Sequence, residues 1–182
     1  MSLIVTISGL HGTGKSTYAR EVAKKFGLRH ISAGELFRQI AVERHTSLGD
    51  LSREAEKNDE LDHLLDERTR SEIRRGGVVI DGLLVGWFAR KYNVPKIFLS
   101  APYTIRIGRI ASRDTASYAE ADRATTLREN IERRRFKRLY DIDIDDLSIY
   151  DLVLNTSLLC MKFNVEVVLS FIDGYIKSHG VK

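Results

Sequence analysis

Gly9-Leu10-His11-Gly12-Thr13-Gly14-Lys15-Ser16 is the stretch that decides how this 182-residue sequence is read. It fits G-x-x-x-x-G-K-[ST] at every fixed position. An apolar, β-branched run from Leu3 to Ser8 leads into it, and a helical pattern from Lys15 to Phe26, closed by Gly27, leads out. Strand, glycine loop and helix in that order form an anion cradle. Glycines let successive backbone N–H groups turn inward, and the helix N-terminus adds a favourable dipole. Gly9, Gly12, Thr13, Gly14, Lys15 and Ser16 are therefore expected to hold the phosphates of a nucleotide. Lys15 would bridge the terminal phosphates, and the Ser16 hydroxyl would ligate Mg²⁺. Thr17 either reaches an α-phosphate or fills the first helical turn.

Outward from this loop the pattern alternates. A short strand, Arg29 to Ile31, is followed by Ser32 in N-cap position with Glu35 at capping-box spacing. Helices are expected from there to about Arg44, over Leu48 to Lys57 behind Ser47, and over Glu60 to Arg75. The last of these carries Leu61, Leu64, Leu65 and Ile73 and is stopped by Gly76-Gly77. Val78-Val79-Ile80 reads as a strand buried on both faces, ending in Asp81-Gly82. A short helix, Trp87 to Tyr92, then precedes the strand Lys96 to Leu99. Further helices are expected after Ala101-Pro102, from about Ala119 to Tyr140 and from about Val165 to Ser178, with a last strand at Asp151 to Leu154. This is an α/β fold with a five-stranded parallel sheet. Three helices between the second and third strands are too many for one crossover. They read as an inserted cap, and the polar stretch from Arg113 to Arg138 reads as a second flap. Ligands of open parallel sheets sit beyond the carboxyl ends of the strands. The glycine loop, Ser32, Asp81 and Ser100 fall at such ends and should surround one crevice.

The bulk properties fit one globular domain: 43% apolar residues, 30% charged and a net charge of +4. Basic residues crowd one segment: Arg106, Arg109, Arg113, Arg123, Arg128, Arg133, Arg134, Arg135, Lys137 and Arg138. Arginine in place of lysine suits bidentate grip on phosphate oxygens. The competing readings are a nucleic-acid surface and a solvated helix face with i,i+4 pairs. Tyr118 and Phe136 are the only aromatics there, too few for base stacking. No nucleic-acid or membrane partner is expected, and a monomer is. Cys160 is the sole cysteine, which suits a reducing compartment, and its apolar neighbours predict burial. No signal peptide is read at the start, so the expected location is the cytoplasm.

Four segments besides the loop carry a resemblance. They are Ser32-Ala33-Gly34-Glu35-Leu36-Phe37-Arg38, Val78 to Trp87 with Asp81-Gly82-Leu83 at its centre, Arg109-Ile110-Ala111-Ser112-Arg113-Asp114, and Tyr140 to Ser157. In content and order the chain resembles the nucleoside monophosphate kinases, and most closely the short cytidylate kinases of the archaeal type. The resemblance implies a P-loop NTPase-type three-layer fold. It implies a core of residues 1–32, 77–113 and 139–182, a helical acceptor-binding insertion at about 33–76 and a lid at about 114–138. It implies transfer of the ATP γ-phosphoryl group to CMP, and to dCMP, with Mg²⁺ as cofactor and ATP and CMP as the small-molecule partners. Adenylate kinases, the nearest alternative within enzymes, carry different words at the acceptor loop. An RNA-binding module or polynucleotide kinase, and a regulatory ATP switch, are the readings from other classes.

The resemblance also implies roles. Arg38 grips the acceptor phosphate, near Gly34 and Gly82. Ser32 binds acceptor or caps its helix, or does both. Asp81 orients Mg²⁺ through water or contacts the acceptor, unless it merely forms a turn with Gly82. Arg109, Arg113, Arg128 and Arg135 neutralise the transferring group as arginine fingers do, with Glu132 placed to orient a guanidinium. Arg123, Arg133 and Arg138 are expected to be solvated charges, and Trp87 and Phe88 to be core. Two positions depart from the family's pattern. Leu83 stands where an arginine is frequent, and His11 where a proline is common. His11 is expected to be a tolerated surface change.

Overall fold

The computed structural model describes residues 2–181. Its strands are β1 (Ile4–Ser8), β2 (Arg29–Ser32), β3 (Val78–Asp81), β4 (Lys96–Ser100) and β5 (Leu152–Asn155). All pair in parallel, in the order β2-β3-β1-β4-β5. The chain thus starts at the sheet centre and places β2 and β3 on one side, β4 and β5 on the other. The register sets Ile7 beside Asp81 and Asp81 beside Ser32, so the carboxyl ends of β1, β2 and β3 meet.

The helices are α1 (Lys15–Phe26), α2 (Ala33–Glu43), α3 (Leu48–Lys57), α4 (Glu60–Arg75), α5 (Val85–Phe88), α6 (Tyr103–Asp114), α7 (Tyr118–Tyr140) and α8 (Met161–His179). They cover both faces because side chains alternate along each strand. Val5, Ile7, Val79, Ile97 and Leu99 face α1 and α8, where Tyr18, Ala19, Val22, Val168 and Ile172 close a core. Val78 and Ile80 face the other way, against Ile73 of α4, Val85 and Phe88 of α5 and Phe136 of α7. Three layers result. Between β2 and β3, helices α2 to α4 build a small core of their own around Phe37, Ala41 and Leu51. α7 packs on both α3 and α6.

Several boundaries differ from the sequence expectation. α5 runs Val85–Phe88, not Trp87 to Tyr92. The apolar residues Leu84 to Ala89 lie on the sheet, whereas Arg90, Lys91 and Tyr92 turn out to solvent. α8 begins four residues early, at Met161, because buried Asn164 fixes its first turn. The Asn164 amide donates to the carbonyls of Leu159 (2.9 Å) and Thr156 (3.3 Å). Cys160 is consequently the N-cap residue of α8 and is exposed, correcting the expected burial. Leu64 likewise faces solvent, at 57% exposure, while Ile73 is buried. At Ser32 the cap forms: its hydroxyl accepts from the Glu35 N–H at 3.2 Å. The Glu35 carboxylate pairs with Arg20 instead of closing a box. The complete capping box belongs to Ser117 and Glu120, at the start of α7.

Candidate active site

The glycine loop wraps the N-terminus of α1 and opens into a cavity of about 390 Å³. Gly12 has φ +79°, and a Cβ there would stand 2.4 Å from the Arg106 carbonyl oxygen, so only glycine fits. Thr13 Oγ1 and Lys15 Nζ both donate to the Leu10 carbonyl, at 2.8 and 3.0 Å. Burial lowers Lys15 to about 8, although Asp81 and Glu132 pull the other way. Ser16 Oγ donates to Asp81 Oδ2 at 2.9 Å, and Ser32 Oγ donates to the same oxygen at 3.2 Å. The other oxygen, Oδ1, lies 2.6 Å from His30 Nε2. Asp81 is thus a buried carboxylate held on both oxygens at the meeting point of three strands. Gly82 follows it with no room for a side chain, since a Cβ would lie 2.9 Å from Val85 Cγ1. Thr17 is exposed and lines the same cavity.

Ser16, Gly34, Arg38, Asp81, Gly82, Arg109, Arg113, Arg128 and Arg135 all line this one cavity, and Ser32 sits at its edge beside Asp81. Arg38 makes no hydrogen bond or ion pair among the described residues. Burial and the nearby Arg113 push its pKa down, a sign of positive charge gathered without an anion. Arg113 forks onto Asp114 at 2.6 and 2.7 Å. Arg109 donates to the Oγ1 and carbonyl of Thr156 at 2.8 and 2.9 Å. Arg128 donates through Nε to Glu132 Oε1 at 2.8 Å, its guanidinium over the Phe37 ring. Arg135 is 3% exposed, with Nε 2.9 Å from Asp62 Oδ2 and Nη1 donating to the Ser52 carbonyl. It stands on the wall formed with α3 and α4, close enough to Glu132 to help hold that carboxylate ionised.

Other residues of the site gave little signal in sequence. His11 is not a tolerated surface change: its Nε2 lies 2.7 Å from Glu132 Oε2, which ties the loop to α7. Burial and neighbouring Arg128 hold His11 below its ordinary value, so a neutral ring donates to Glu132. Burial pushes Glu132 up, but His11 and Arg128 outweigh it and keep the carboxylate ionised. Arg106 is buried; it donates to the His11 carbonyl at 2.8 Å and forks onto Glu129 at 2.6 and 3.3 Å. The expected solvated charges Arg133 and Arg138 pair with Asp145 and Asp59. Phe88 is core as expected; Trp87 is half-buried against the same cluster. Leu83, at the departure from the family pattern, is half-buried in the cavity wall.

Among the described residues no helix is long and apolar enough to cross a membrane. Among the same residues no group of three or more His, Cys, Asp or Glu side chains is placed to hold a metal ion by itself. A shikimate kinase structure from Bacteroides thetaiotaomicron superposes with a TM-score of 0.63 at 14% identity, over 96% of this chain and 98% of that one. The fold is thus the P-loop NTPase-type three-layer α/β arrangement. A cytidylate kinase of Staphylothermus marinus is 43% identical over 96% of this chain and 99% of its own length. One from Methanococcus aeolicus is 40% identical over 96% and 97%. With its profile matching residues 4–158, the family is shown: this chain belongs to the cytidylate kinase-like family.

Proposed function

We propose that this protein transfers the γ-phosphoryl group of ATP to CMP, and to dCMP, giving ADP and the corresponding diphosphate. The observation that carries this reading is the convergence on one cavity of a phosphate loop, an unpaired Arg38 and arginines from α6 and α7.

Phosphoryl transfer asks the protein mainly for placement and charge neutralisation. The amides of Gly12 to Ser16 and the Lys15 ammonium hold the β- and γ-phosphates of ATP. Lys15 rests on the Leu10 carbonyl and exchanges that weak partner for phosphate oxygens. Arg38 takes the phosphate of the acceptor, whose attacking oxygen is already anionic, so no general base is needed. Arg113 and Arg128 face the space between donor and acceptor, where charge accumulates on the transferring group. Arg109, anchored to Thr156, flanks the donor side. Glu132 fixes the plane of the Arg128 guanidinium. Arg135 acts from the acceptor wall, where it braces α7 against α3 and α4.

Ser16 Oγ and the Asp81 carboxylate are adjacent hard oxygen donors, a set that suits Mg²⁺ arriving on the nucleotide. When bound there, Mg²⁺ supplies charge neutralisation across the donor phosphates. Ser16 would hold it directly, and Asp81 through water. Helices α2 to α4 act as the acceptor-binding insertion and residues 114–138 as the lid that excludes water.

A coupled assay of ADP release across CMP, dCMP, UMP, AMP and GMP tests the reading. CMP is expected to give the highest kcat/KM. A preference for AMP would replace cytidylate with adenylate kinase, and no turnover with any acceptor would reject the class.

A further inference from the structure

Just past β5, one buried residue touches the phosphate loop from behind the cavity. Thr156 follows Asn155, the register partner of Ser100 in β4. Its N–H donates to the Ser100 carbonyl at 2.8 Å. Its carbonyl accepts from Arg109 Nη2 at 2.9 Å and from the Asn164 amide at 3.3 Å. The hydroxyl is the more informative group. Arg109 Nη1 donates to Oγ1 at 2.8 Å, and Oγ1 lies 3.2 Å from the Thr13 carbonyl oxygen and 3.1 Å from that of Ser100. A guanidinium only donates, so the hydroxyl accepts from it and offers its single proton to the two carbonyls. Ser100 already receives the Thr156 N–H. Thr13 is buried, and among the described residues no other donor reaches its carbonyl. The peptide that follows is the one that matters for the ligand. Gly14 lines the cavity, whereas Thr13 and Thr156 lie behind its wall. The Thr13–Gly14 peptide is trans, so its C=O and N–H point in opposite directions. With the carbonyl held toward Thr156, the Gly14 N–H faces the cavity.

We propose that Thr156 is a positioning residue of the phosphate loop: its hydroxyl, oriented by Arg109, fixes the Thr13–Gly14 peptide so that the Gly14 N–H is aimed at a donor phosphate before nucleotide binds. This rests on the ATP-binding reading above and assigns what sets the aim of the loop. Gly14 has φ +95° and no side chain to hold its plane, so the restraint has to come from outside. It comes from a residue 143 positions away in the chain. The charged donor polarises the Thr156 hydroxyl and strengthens its bond to the Thr13 carbonyl. Without the hydroxyl that carbonyl is buried and unpaired, and the peptide gains by turning it toward the water of the cavity. The Gly14 N–H then turns away, and a bound phosphate loses one donor.

Three measurements test the assignment. Magnesium tripolyphosphate, which has neither base nor sugar, should move the Gly14 amide proton of the wild-type protein downfield in ¹H–¹⁵N spectra. An unmoved resonance would overturn the proposal without any variant. Thr156→Val keeps the shape of the side chain and removes the hydroxyl. Its affinities for a fluorescent ATP analogue and for tripolyphosphate should each fall about tenfold, with the KM for CMP within about twofold of wild type. Thr156→Ser keeps the hydroxyl, and both affinities should stay within about threefold of wild type. A Ser variant as weak as the Val variant would assign the effect to the lost methyl and overturn the proposal. A residue serving only the fold would lower the melting temperature and leave both affinities unchanged, and one serving the donor base would weaken the ATP analogue alone. Either result rejects the role of Thr156 and leaves the kinase reading intact. Failure of the wild-type protein to bind either ligand would reject both.

Discussion

Lys15 donates to a backbone carbonyl inside the phosphate loop, and burial brings its pKa down to about 8. The ammonium form is the one that binds phosphate, and bound ATP raises the pKa again by adding negative charge. Affinity for ATP should therefore be flat below about pH 7 and weaken above pH 8, approaching tenfold per unit. Titration with a fluorescent ATP analogue between pH 6.5 and 9.5 checks this. Lys15→Ala should abolish both turnover and this pH dependence while leaving the circular dichroism spectrum unchanged. Arg38→Ala should raise the KM for CMP at least tenfold and leave the KM for ATP alone, since the side chain has no hydrogen bond or ion pair to lose among the described residues. An unchanged acceptor KM would remove Arg38 from the acceptor site. That both side chains line the cavity was legible because each belongs to a short local segment, the glycine loop for Lys15 and Ser32 to Arg38 for the other. His11 was not, because its partner Glu132 lies 121 residues away in the chain.

At the scale of elements, α7 joins the loop to the rest of the site. Glu132 receives His11 of the loop on one oxygen and Arg128 of its own helix on the other. His11→Ala should leave ATP affinity within about twofold and lower kcat about tenfold, because Arg128 loses its fixed orientation. Equal kcat in wild type and variant would rule out the coupling. The buried fork of Arg106 onto Glu129 is a different kind of link. Removing one partner leaves an uncompensated charge, so Glu129→Ala should cost about 3–5 kcal/mol in urea denaturation. Helix existence and type were readable from periodicity. The starts of α5 and α8 were not, because buried contacts set them: apolar packing on the sheet for one and the Asn164 amide for the other. The Ser117–Glu120 pair has the same spacing as Ser32 and Glu35, yet only the former closes as a capping box, so spacing alone does not distinguish them.

Across the whole molecule, α2 to α4 carry a small core of their own, and α7 reaches them through the ion pair between Arg135 and Asp62. Ligands that bridge these parts should stabilise the fold more than either alone. ATP at 100 times its Kd contributes about 2.7 kcal/mol, and each kcal/mol raises Tm by about 2–4 °C in a chain of this size. Scanning calorimetry should show a larger rise for a bisubstrate analogue than for ATP; equal rises would mean that the parts do not close on a shared ligand. The alternation of strands and helices made the fold class readable. The spatial order β2-β3-β1-β4-β5 was not, because strand neighbours are settled by long-range packing rather than by any local pattern.

Arg106 also bears on how nucleotide arrives. Its guanidinium props the His11 carbonyl from below the loop, within a buried ion pair that water and dissolved ions barely reach. The cradle is staked in shape beforehand, so capture of the donor should proceed in one kinetic phase in stopped-flow mixing, without a slower rearrangement trailing it.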